Sequence, residues 1–377
     1  MSRTTALRVL QVGKYYYPHM GGIESHLYTL CNELKPHVST EVVVCNSTRR
    51  TVRESIDGIP VTRCAELFHA ASVSVCPEMP LALSRGDYSI LHVHHPHPMG
   101  ELSYLTSKKP RRHRLVMTYH SDIVRQARLV KLYAPFLRAV MARADAIVCT
   151  SPNYLESSSV LAPFREKCRV IPYGIDPSQF ALTPDVAEKA AAIRARYPGR
   201  LLVGIGRLIY YKGFEVAIQA MRDIDARLLL IGEGPLRESL EALARETGVA
   251  ERVHFLGNIH NHEIAPYHHA SDLFVLPSIV RSEAFGIVQL EAMACGRPVV
   301  NTLIRDSGVP FVSRHGETGL TVEPKDPRAR ARAVNELLAD PERTKRFGEA
   351  ARRRVETEFD KTVMAGRVLS LYREISG

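Results

Sequence analysis

The chain has 377 residues, of which 45% are hydrophobic and 24% charged, a composition typical of a globular protein long enough for two hydrophobic cores. No stretch approaches the roughly 20 apolar residues of a transmembrane helix, and the seven cysteines include no Cys-x-x-Cys pair, which argues against a disulfide framework or a zinc ribbon. The net charge of +10 favours anionic partners such as nucleotide diphosphates, phospholipid headgroups or nucleic acid.

The first predicted strand is residues 7–12, an apolar run that is too short and too interrupted to be a signal peptide. Further short apolar runs, separated by helical patterns, follow at 40–45, 90–93, 115–118, 146–150 and 169–172. Strands that alternate with helices predict an α/β fold with a parallel, doubly wound sheet. A chain without a signal peptide or paired cysteines is expected in the reducing cytoplasm.

The alternation starts again after a polar helix predicted at 184–197. The second series of strands is predicted at 201–205, 227–231, 253–256, 273–276, 298–301 and 319–322. Two such series predict two domains, an N-terminal one over 1–180 and a C-terminal one over 181–377, each with its own sheet. An amphipathic pattern over 360–375 predicts a last helix, which could pack back on the first domain.

Three motifs fall at the carboxyl ends of predicted strands, where open parallel sheets bind their ligands. The first is Gly21-Gly22, between the opening strand and a helix predicted over 25–34. Glycines there allow backbone amides to approach an anion at the helix N-terminus. An ordinary strand-to-helix turn is the alternative explanation of this pair.

The second motif places two cations in one strand-to-helix loop. Arg207 follows the strand at 201–205, and Lys212 comes five residues later. Both could bind one diphosphate, whose charge grows as the sugar bond breaks, so these cations would stabilise the transition state more than the ground state. A solvated pair of surface charges is the alternative.

The third motif contains two glutamates eight residues apart, Glu283 and Glu291. A helix that begins near Gly286 would place Glu283 just before its N-terminus and Glu291 about one and a half turns inside it. The backbone amides between them could hold phosphate oxygens, which leaves Glu283 for sugar hydroxyls and Glu291 for ribose hydroxyls. A capping residue and an exposed helix residue are the alternative for either glutamate alone.

Together, these ordered motifs resemble those of the retaining glycosyltransferases of family four. The matching patterns are Pro-x-x-Gly-Gly from Pro18, Gly-Arg-Leu-x-x-x-Lys-Gly from Gly206 and Glu-x-Phe-Gly-x-x-x-x-Glu from Glu283. The resemblance covers nearly the whole chain and implies the GT-B fold, in which two Rossmann-like domains with parallel sheets face each other across a cleft. A narrower likeness to bacterial mannosyltransferases of cell-surface polysaccharides implies GDP-mannose as the donor.

The resemblance also implies roles for individual residues. Four residues are expected to take part in catalysis: His120 beside the transferred sugar, Glu283 at that sugar, and Arg207 and Lys212 at the diphosphate. The expected donor-binding residues are Gly21, Gly22, Arg207, Lys212, Gly257, Asn258, Ile259, Glu283, Phe285, Gly286, Ile287, Val288 and Glu291. The implied reaction retains the anomeric configuration, needs no metal or other cofactor, and transfers the sugar to a polysaccharide or lipid-linked saccharide acceptor of cell-envelope glycan synthesis.

A histidine cluster, formed by His92, His94, His95 and His97, is the remaining candidate for a metal site. Strand alternation would place His92 and His94 on one face, which suits a metal. No carboxylate or cysteine accompanies the cluster in the sequence motif, so contacts with the acceptor are the preferred interpretation and no metal is expected.

The basic segment 108–114 carries the densest positive charge of the chain. A solvated loop is the simplest interpretation, and peripheral contact with the anionic cytoplasmic face of the inner membrane is the alternative. No aromatic residues interleave with the basic ones, so no nucleic acid partner is expected. Two other functions stay open at this point: a nucleotide-sugar epimerase of the same architecture, and a non-catalytic protein that binds nucleic acid or membranes.

Overall fold

The computed structural model describes residues 7–19, 21–70, 73–122 and 127–377, with the backbone alone for 127–130 and 261. Two compact units form, one of Met1–Gly174 with Lys361–Gly377 and one of Ile175–Asp360. The division therefore lies at 174/175 and not at 180/181, and the last helix belongs to the first unit. The chain thus passes from one unit to the other twice, at 174/175 and at 360/361. Ile175 follows the first crossing, and its backbone N–H donates to the carbonyl of Phe359, just before the second crossing, at 2.9 Å.

In the first unit, parallel strands make up most of a sheet. Its strands are β1 Arg8–Val12, β2 Ser39–Cys45, β3 Val52–Ile56, β4 Ile59–Cys64, β5 Phe68–Ala70, β6 Val73–Val75, β7 Ile90–His95, β8 Arg114–Tyr119, β9 Ala146–Cys149 and β10 Cys168–Val170. The order in the sheet is β10-β9-β8-β7-β1-β2-β4-β3, and β5 pairs with β6 alone. Only the β3–β4 pair of the larger sheet is antiparallel; its turn contains Asp57 and Gly58, both with positive φ.

Helices cover both faces of this sheet. They are α1 Gly22–Leu34, α2 Met79–Arg85, α3 Pro98–Thr106, α4 Ala127–Arg143, α5 Pro152–Ser157, a 3₁₀ turn at Ala162–Lys167 and, after the second unit, α14 Lys361–Ser376. The helix α14 packs in the core of this unit, where Val368 and Leu371 share a cluster with Leu30 and Leu34 of α1. Sequence predicted an amphipathic helix here, and its apolar face is buried against α1.

The second unit has an all-parallel sheet in the order β13-β12-β11-β14-β15-β16. Its strands are β11 Leu201–Ile205, β12 Arg227–Ile231, β13 Val253–Gly257, β14 Leu273–Val275, β15 Val299–Thr302 and β16 Gly319–Val322. Its helices are α6 Pro184–Arg196, α7 Phe214–Ala220, α8 Arg237–Glu246, α9 Ala265–Ala270, α10 Val288–Ala294, α11 Val309–Val312, α12 Pro327–Ala339 and α13 Pro341–Glu358. Short 3₁₀ helices lie at Pro177–Phe180, Tyr210–Lys212, Met221–Asp223, Ala250–Arg252 and Asn261–Glu263.

Every predicted strand has an observed counterpart whose ends agree to within two residues. Among the parallel strands of each sheet the order reverses once, between β1 and β7 in the first unit and between β11 and β14 in the second. Such a reversal opens a crevice at the carboxyl ends of the two strands concerned, which is where ligands of these sheets bind. Among the helices that the structure describes, none has the length and apolar character needed to cross a bilayer.

Candidate active site

A buried ion pair occupies the strand-order reversal of the second unit. Lys212 follows β11 and donates from Nζ to Oε2 of Glu283 at 2.6 Å, and Glu283 lies in the loop that follows β14. The two side chains are only 11% and 10% exposed. Ser278 Oγ donates to the same carboxylate oxygen at 2.9 Å. This leaves Oε1 of Glu283 without a hydrogen bond from the described part of the chain, so that it can accept one from a ligand.

The pair keeps Lys212 charged although it is buried. Burial by itself lowers the pKa of a lysine, but the carboxylate of Glu283 and other neighbours more than offset this, so that the pKa of Lys212 is raised above its ordinary value. The lysine is therefore a fixed cation held in place by Glu283. Sequence treated Lys212 and Glu283 as separate contacts, and it missed Ser278.

Glycine at position 213 makes this contact possible. Gly213 has φ of +64°, and a Cβ there would lie 2.2 Å from the carbonyl oxygen of Pro277. No other residue fits, because both the left-handed backbone and the close approach require the absence of a side chain. The loop after β11 can therefore touch the loop after β14, which brings Lys212 to Glu283.

In contrast to Lys212, Arg207 is exposed. It follows Gly206 directly at the end of β11, and its guanidinium forms no hydrogen bond or ion pair with the residues that the structure describes. The two cations that sequence placed in one loop thus differ: Lys212 is buried and paired, while Arg207 is free to turn towards an anion in solvent.

The helix after Glu283 begins later than predicted. It is α10, Val288–Ala294, so Glu291 lies in its first turn and not one and a half turns inside. The cause is Gly286, whose φ of +76° is left-handed and cannot belong to an α-helix. Phe285 is buried beneath this turn, at 2% exposure, while Ile287 and Val288 lie partly exposed at the start of the helix.

Glu291 has a buried oxygen that lacks a partner. Its Oε2 accepts no hydrogen bond among the described residues, and Nε2 of His268 lies 4.0 Å from it. His268 is fully buried, and neither of its ring nitrogens has a described hydrogen-bond partner. A ligand hydroxyl could satisfy Glu291. Sequence analysis missed His268. The residue lies in α9, and this helix was not predicted, so the sequence pattern did not single out its buried side chain.

The loop after β13 lies on the same edge of the sheet as the ion pair. Gly257 ends that strand with φ of +73°, and its carbonyl accepts the backbone N–H of Gly232 at 2.8 Å. Asn258 is exposed and Ile259 is partly buried. These residues stand two strands away from β11, across β12.

In the first unit, Gly21 and Gly22 form the N-terminus of α1. Gly21 is the N-cap and has extended backbone, and its carbonyl accepts the backbone N–H of Ser25 at 2.8 Å. Met20 of the same motif lies outside the described residues. The two glycines follow β1, one of the two strands at the order reversal.

His120 follows β8 and is buried at 1% exposure. Its Nε2 lies 3.0 Å from Nδ1 of His94, and its Nδ1 forms a hydrogen bond with the hydroxyl of Tyr173. Burial, together with neighbouring histidines, holds the pKa of His120 well below its ordinary value, so the ring is neutral at physiological pH.

One expectation about the histidine cluster is wrong. All four histidines, at positions 92, 94, 95 and 97, are buried at 2% exposure or less. A carboxylate does accompany them: Glu101 Oε1 lies 2.7 Å from His95 Nδ1, and both side chains are fully buried. Glu101 was missed because the helix that carries it, α3, was not predicted.

The described residues contain one group of three potential metal ligands whose ligand atoms all lie within 4.8 Å of each other: His26, His94 and His120. The facing nitrogens of His94 and His120 are already joined by their 3.0 Å hydrogen bond. A metal ion bound by these three residues would have to break this hydrogen bond. His92, which the sequence placed beside His94 as a possible ligand, does not belong to the group of three.

The basic segment 108–114 is found at the opposite edge of the first sheet from His120. It leads into the amino end of β8 at Arg114, whereas His120 follows the carboxyl end of the same strand, about 20 Å away for six residues. Lys109 is engaged with two backbone carbonyls at 2.7 Å, and Arg114 pairs with Asp145 at 3.0 Å. The exposed cations of the segment are Lys108, Arg111, Arg112 and Arg114.

Comparison with known proteins identifies the family. The family model described as Glycosyltransferase Family 4 matches residues 20–179, and the one described as Glycosyl transferases group 1 matches residues 187–354. An O-antigen chain mannosyltransferase C of Escherichia coli is 32% identical over 97% of this chain and 98% of its own length. The chain belongs to glycosyltransferase family 4. It is therefore an enzyme that transfers a sugar, which decides against the epimerase and the non-catalytic binding protein.

A second relative is similar over nearly the whole chain, and solved structures give the fold. A D-rhamnosyltransferase of Pseudomonas aeruginosa is 33% identical over 94% of this chain and 92% of its own length. The sucrose-phosphate synthase structure from Thermosynechococcus elongatus has a TM-score of 0.79 at 23% identity and covers 98% of this chain and 99% of its own. An Anabaena protein in complex with UDP has a TM-score of 0.77 at 20% identity, covering 98% of this chain and all of its own. The fold is GT-B, with two Rossmann-like units.

Proposed function

We propose that this family 4 glycosyltransferase transfers mannose from GDP-mannose, with retention of configuration, to a saccharide acceptor of cell-envelope polysaccharide synthesis. The Escherichia coli relative carries the name of an O-antigen mannosyltransferase, and a Mycolicibacterium smegmatis relative, 30% identical over 91% of this chain and 92% of its own length, is named as GDP-mannose-dependent. The observation that carries the proposal is the buried Lys212–Glu283 pair at the strand-order reversal of the second unit.

The pair supplies a cation for a leaving diphosphate and a carboxylate for a sugar. Lys212 would contact the diphosphate together with Arg207, which is exposed and has no described partner. Oε1 of Glu283 would accept a hydroxyl of the mannose, because Oε2 is already held by Lys212 and Ser278. Oε2 of Glu291 would accept a ribose hydroxyl, which satisfies a buried acceptor that otherwise lacks a partner.

The proposed reaction needs no protein nucleophile. The bond between the anomeric carbon and the diphosphate oxygen breaks, the acceptor hydroxyl forms the new bond on the same face, and its proton passes to the departing phosphate oxygen. Two cations and the preorganised donors around the phosphates stabilise the charge that develops there. We therefore propose that no divalent metal is required, and that His120, as the family resemblance implies, lies beside the transferred sugar.

The second candidate donor is a nucleotide-linked D-rhamnose, since the Pseudomonas aeruginosa relative is named as a D-rhamnosyltransferase. D-Rhamnose differs from mannose only in lacking the hydroxyl at C6. A site that forms a hydrogen bond with that hydroxyl rejects the analogue without it by a factor on the order of 10⁴, whereas an apolar pocket discriminates far less.

A donor screen tests the proposal. The purified chain is incubated with GDP-mannose, GDP-D-rhamnose or UDP-glucose and a synthetic α-mannoside, with Lys212→Met as the control of strongly reduced activity. We expect acceptor-dependent release of GDP from GDP-mannose and an α-linked product by NMR. Turnover of UDP-glucose alone, or a β-linked product, would overturn the donor or the stereochemistry. Preferred turnover of GDP-D-rhamnose would support the second candidate instead.

For location, we propose a cytoplasmic enzyme with weak, reversible contact to the anionic face of the inner membrane. The exposed cations of 108–114 would each contribute roughly 1 kcal/mol near an anionic surface. Because this segment lies at the edge of the sheet opposite to His120, such contact would recruit the enzyme without inserting the site itself. Vesicle sedimentation at low salt, with Arg111→Gln/Arg112→Gln as the comparison, tests this. Equal sedimentation of both chains, or of neither, would refute it.

A further inference from the structure

A continuous chain of side-chain hydrogen bonds runs through the interior of the first unit and includes His120. It begins at the hydroxyl of Tyr173, which bonds Nδ1 of His120, and continues from His120 Nε2 to His94 Nδ1 at 3.0 Å. From His94 Nε2 it passes to Gln11 Oε1 at 2.9 Å, and from Gln11 Nε2 to the hydroxyl of Tyr372 at 3.0 Å. That hydroxyl bonds His92 Nδ1 at 2.6 Å, and His92 Nε2 bonds Thr118 Oγ1 at 2.7 Å. Each member is buried, with 6% exposure at most. We name these seven residues the polar chain.

Sheet geometry explains why the polar chain can form. The register pairs Gln11 of β1 with His92 of β7, and Thr118 of β8 with His94 of β7. Partners in a parallel pair point to the same face, and side chains two residues apart on one strand do so too. Gln11, His92, His94 and Thr118 therefore share a face. The helix α14 packs on that face, which places Tyr372 over it.

The direction of each bond follows from the orientation of the Gln11 amide together with proton counting. In Gln11, Oε1 can only accept and Nε2 can only donate, so His94 carries its proton on Nε2. Burial and the surrounding histidines hold the pKa of His94 well below its ordinary value, so His94 is neutral and has no second proton. Its Nδ1 must accept, and the proton between the two rings belongs to Nε2 of His120.

The other end of the polar chain is equally determined. The hydroxyl of Tyr372 accepts from Gln11, and the one described acceptor for its own proton is Nδ1 of His92, so that a neutral His92 donates from Nε2 to Thr118. At the first end, Nδ1 of His120 has no proton and accepts from Tyr173. All three histidines of the polar chain thus have the neutral Nε2–H form, and both ring nitrogens of His120 are used inside the protein.

We propose that Gln11 and Tyr372 are positioning residues, which fix His120 in one neutral tautomer and one ring orientation through His94. The inference rests on the proposed function, in which His120 lies beside the transferred sugar. A sugar that loses its diphosphate develops positive charge at the ring, as in other glycosyl transfers. A protonated His120 would oppose that charge, and a rotated ring would displace the sugar. Residues at opposite ends of the chain, 361 positions apart, thereby serve one side chain.

The first experiment measures the tautomers in the parent protein. Two-bond ¹⁵N–¹H correlation spectra of protein labelled on histidine distinguish Nε2–H from Nδ1–H rings, and His120→Asn assigns the signal. We expect Nε2–H for His120 from pH 6 to pH 8. A His120 ring that is protonated on Nδ1, is cationic, or interconverts between forms would overturn the proposal. This measurement needs neither a donor nor an acceptor, so its result is independent of the proposed function.

The second experiment removes one hydroxyl. Tyr372→Phe keeps the ring but deprives Gln11 of its acceptor and His92 of its donor, so the amide can turn over and His120 can adopt either tautomer. We expect kcat to fall by about tenfold with less than a twofold change in the donor KM. The matched control is Tyr88→Phe, because Tyr88 is buried in the same unit and its hydroxyl has no described hydrogen-bond partner. A single unchanged tautomer with parent kcat in Tyr372→Phe would refute the proposal.

The third experiment removes the hydrogen-bond donor at the centre of the polar chain. Gln11→Glu supplies a carboxylate that accepts from both His94 and Tyr372, which favours a protonated His94 and raises its pKa. The titratable groups that act on His94 are His26 on α1, His92 on β7, His97 after β7 and His120 after β8, and Tyr372 on α14 is linked to it through Gln11.

We expect Gln11→Glu to acquire an acidic limb, in which kcat falls as the pH decreases through the raised pKa of His94, with rates measured from pH 8 to pH 5. The parent and Tyr88→Phe should be flat over that range. A Gln11→Glu profile identical in shape to that of the parent would contradict the proposal. Should His120→Ala leave turnover unchanged while the tautomers are as expected, the role of His120 in the proposed function fails and the positioning network stands.

Discussion

Replacing Lys212 by methionine should separate the two contributions of the Lys212–Glu283 pair. The change leaves the carboxylate of Glu283 about 90% buried, with Ser278 as its remaining donor. Breaking a buried pair by removing one partner costs about 3–5 kcal/mol, and partial access of solvent at this site places the expected loss near the lower end. At about 2–4 °C per kcal/mol for a unit of this size, the melting temperature of the second unit should fall by roughly 6–12 °C.

Turnover should fall as well, for a different reason. Lys212 is the buried cation at the leaving diphosphate, and loss of one such group costs on the order of 10²–10³ in kcat. The double variant Lys212→Met/Glu283→Gln removes both charges, so no uncompensated charge stays buried. We expect it to regain most of the lost stability while its kcat stays at or below that of the single variant.

The assay combines calorimetric melting with initial-rate kinetics of GDP release. Lys189→Met is the control, because Lys189 forms an exposed ion pair with Asp185 in the same unit at 2.8 Å, and its loss should leave both melting and kcat unchanged. A double variant as unstable as Lys212→Met would refute the argument from buried charge. Near-parent kcat in Lys212→Met would refute the assignment of this lysine to the diphosphate.

Four further results are expected. Arg207→Ala should lower kcat by about a hundredfold, because it removes a cation from the leaving diphosphate. The melting temperature should not change, since the side chain is exposed and unpaired among the described residues. A fall in both kcat and melting temperature would mean a structural role. Glu291→Ala should mainly raise the donor KM, whereas Glu283→Gln should mainly lower kcat, and steady-state kinetics that show the same effect for both would contradict the separate roles. Incubation with EDTA should leave transfer intact, and a strict requirement for an added divalent ion would revive a metal role. Burial lowers the pKa values of His26 and His92 to about 3 in the folded protein, whereas a histidine in the unfolded chain has a pKa of about 6.5. Below pH 6.5 the unfolded chain therefore binds more protons than the folded one, so stability should be full above pH 6.5 and decrease as the pH falls towards 3. A melting temperature that is constant over this range would refute this expectation.

Much of the second unit follows from local sequence signals. Each strand is a short apolar run, and the glycines, cations and glutamates that follow such runs lie at the carboxyl edge because parallel strands all end there. The contact between Lys212 and Glu283 joins residues 71 positions apart, and it depends on Gly213 approaching Pro277. Ser278 could not be predicted, since a serine after a strand carries no signal of which side chain it will meet.

The first unit shows what local patterns omit. Alternation correctly placed His92 and His94 on one face of β7, but the partners that bury them come from distant segments: Tyr372 lies 280 positions after His92. Local patterns could not show this burial, because the helix that covers His92 and His94 comes from a distant part of the sequence. The β3–β4 hairpin, in contrast, had an available signal in Asp57-Gly58, a dipeptide typical of tight hairpin turns.

The position of α14 has a consequence for biosynthesis. Its apolar residues complete the core around Leu30, Leu34 and Val116, but the ribosome must first produce the whole of Ile175–Asp360. At about 5–20 residues per second, that interval lasts roughly 10 to 40 s, during which the nascent first unit has an open apolar face and a second unit forms behind it. We expect such a chain to depend on chaperones during translation more than one whose units are contiguous. Slow codons within α14 would prolong this exposure, and they should reduce the yield of active enzyme without altering a single residue.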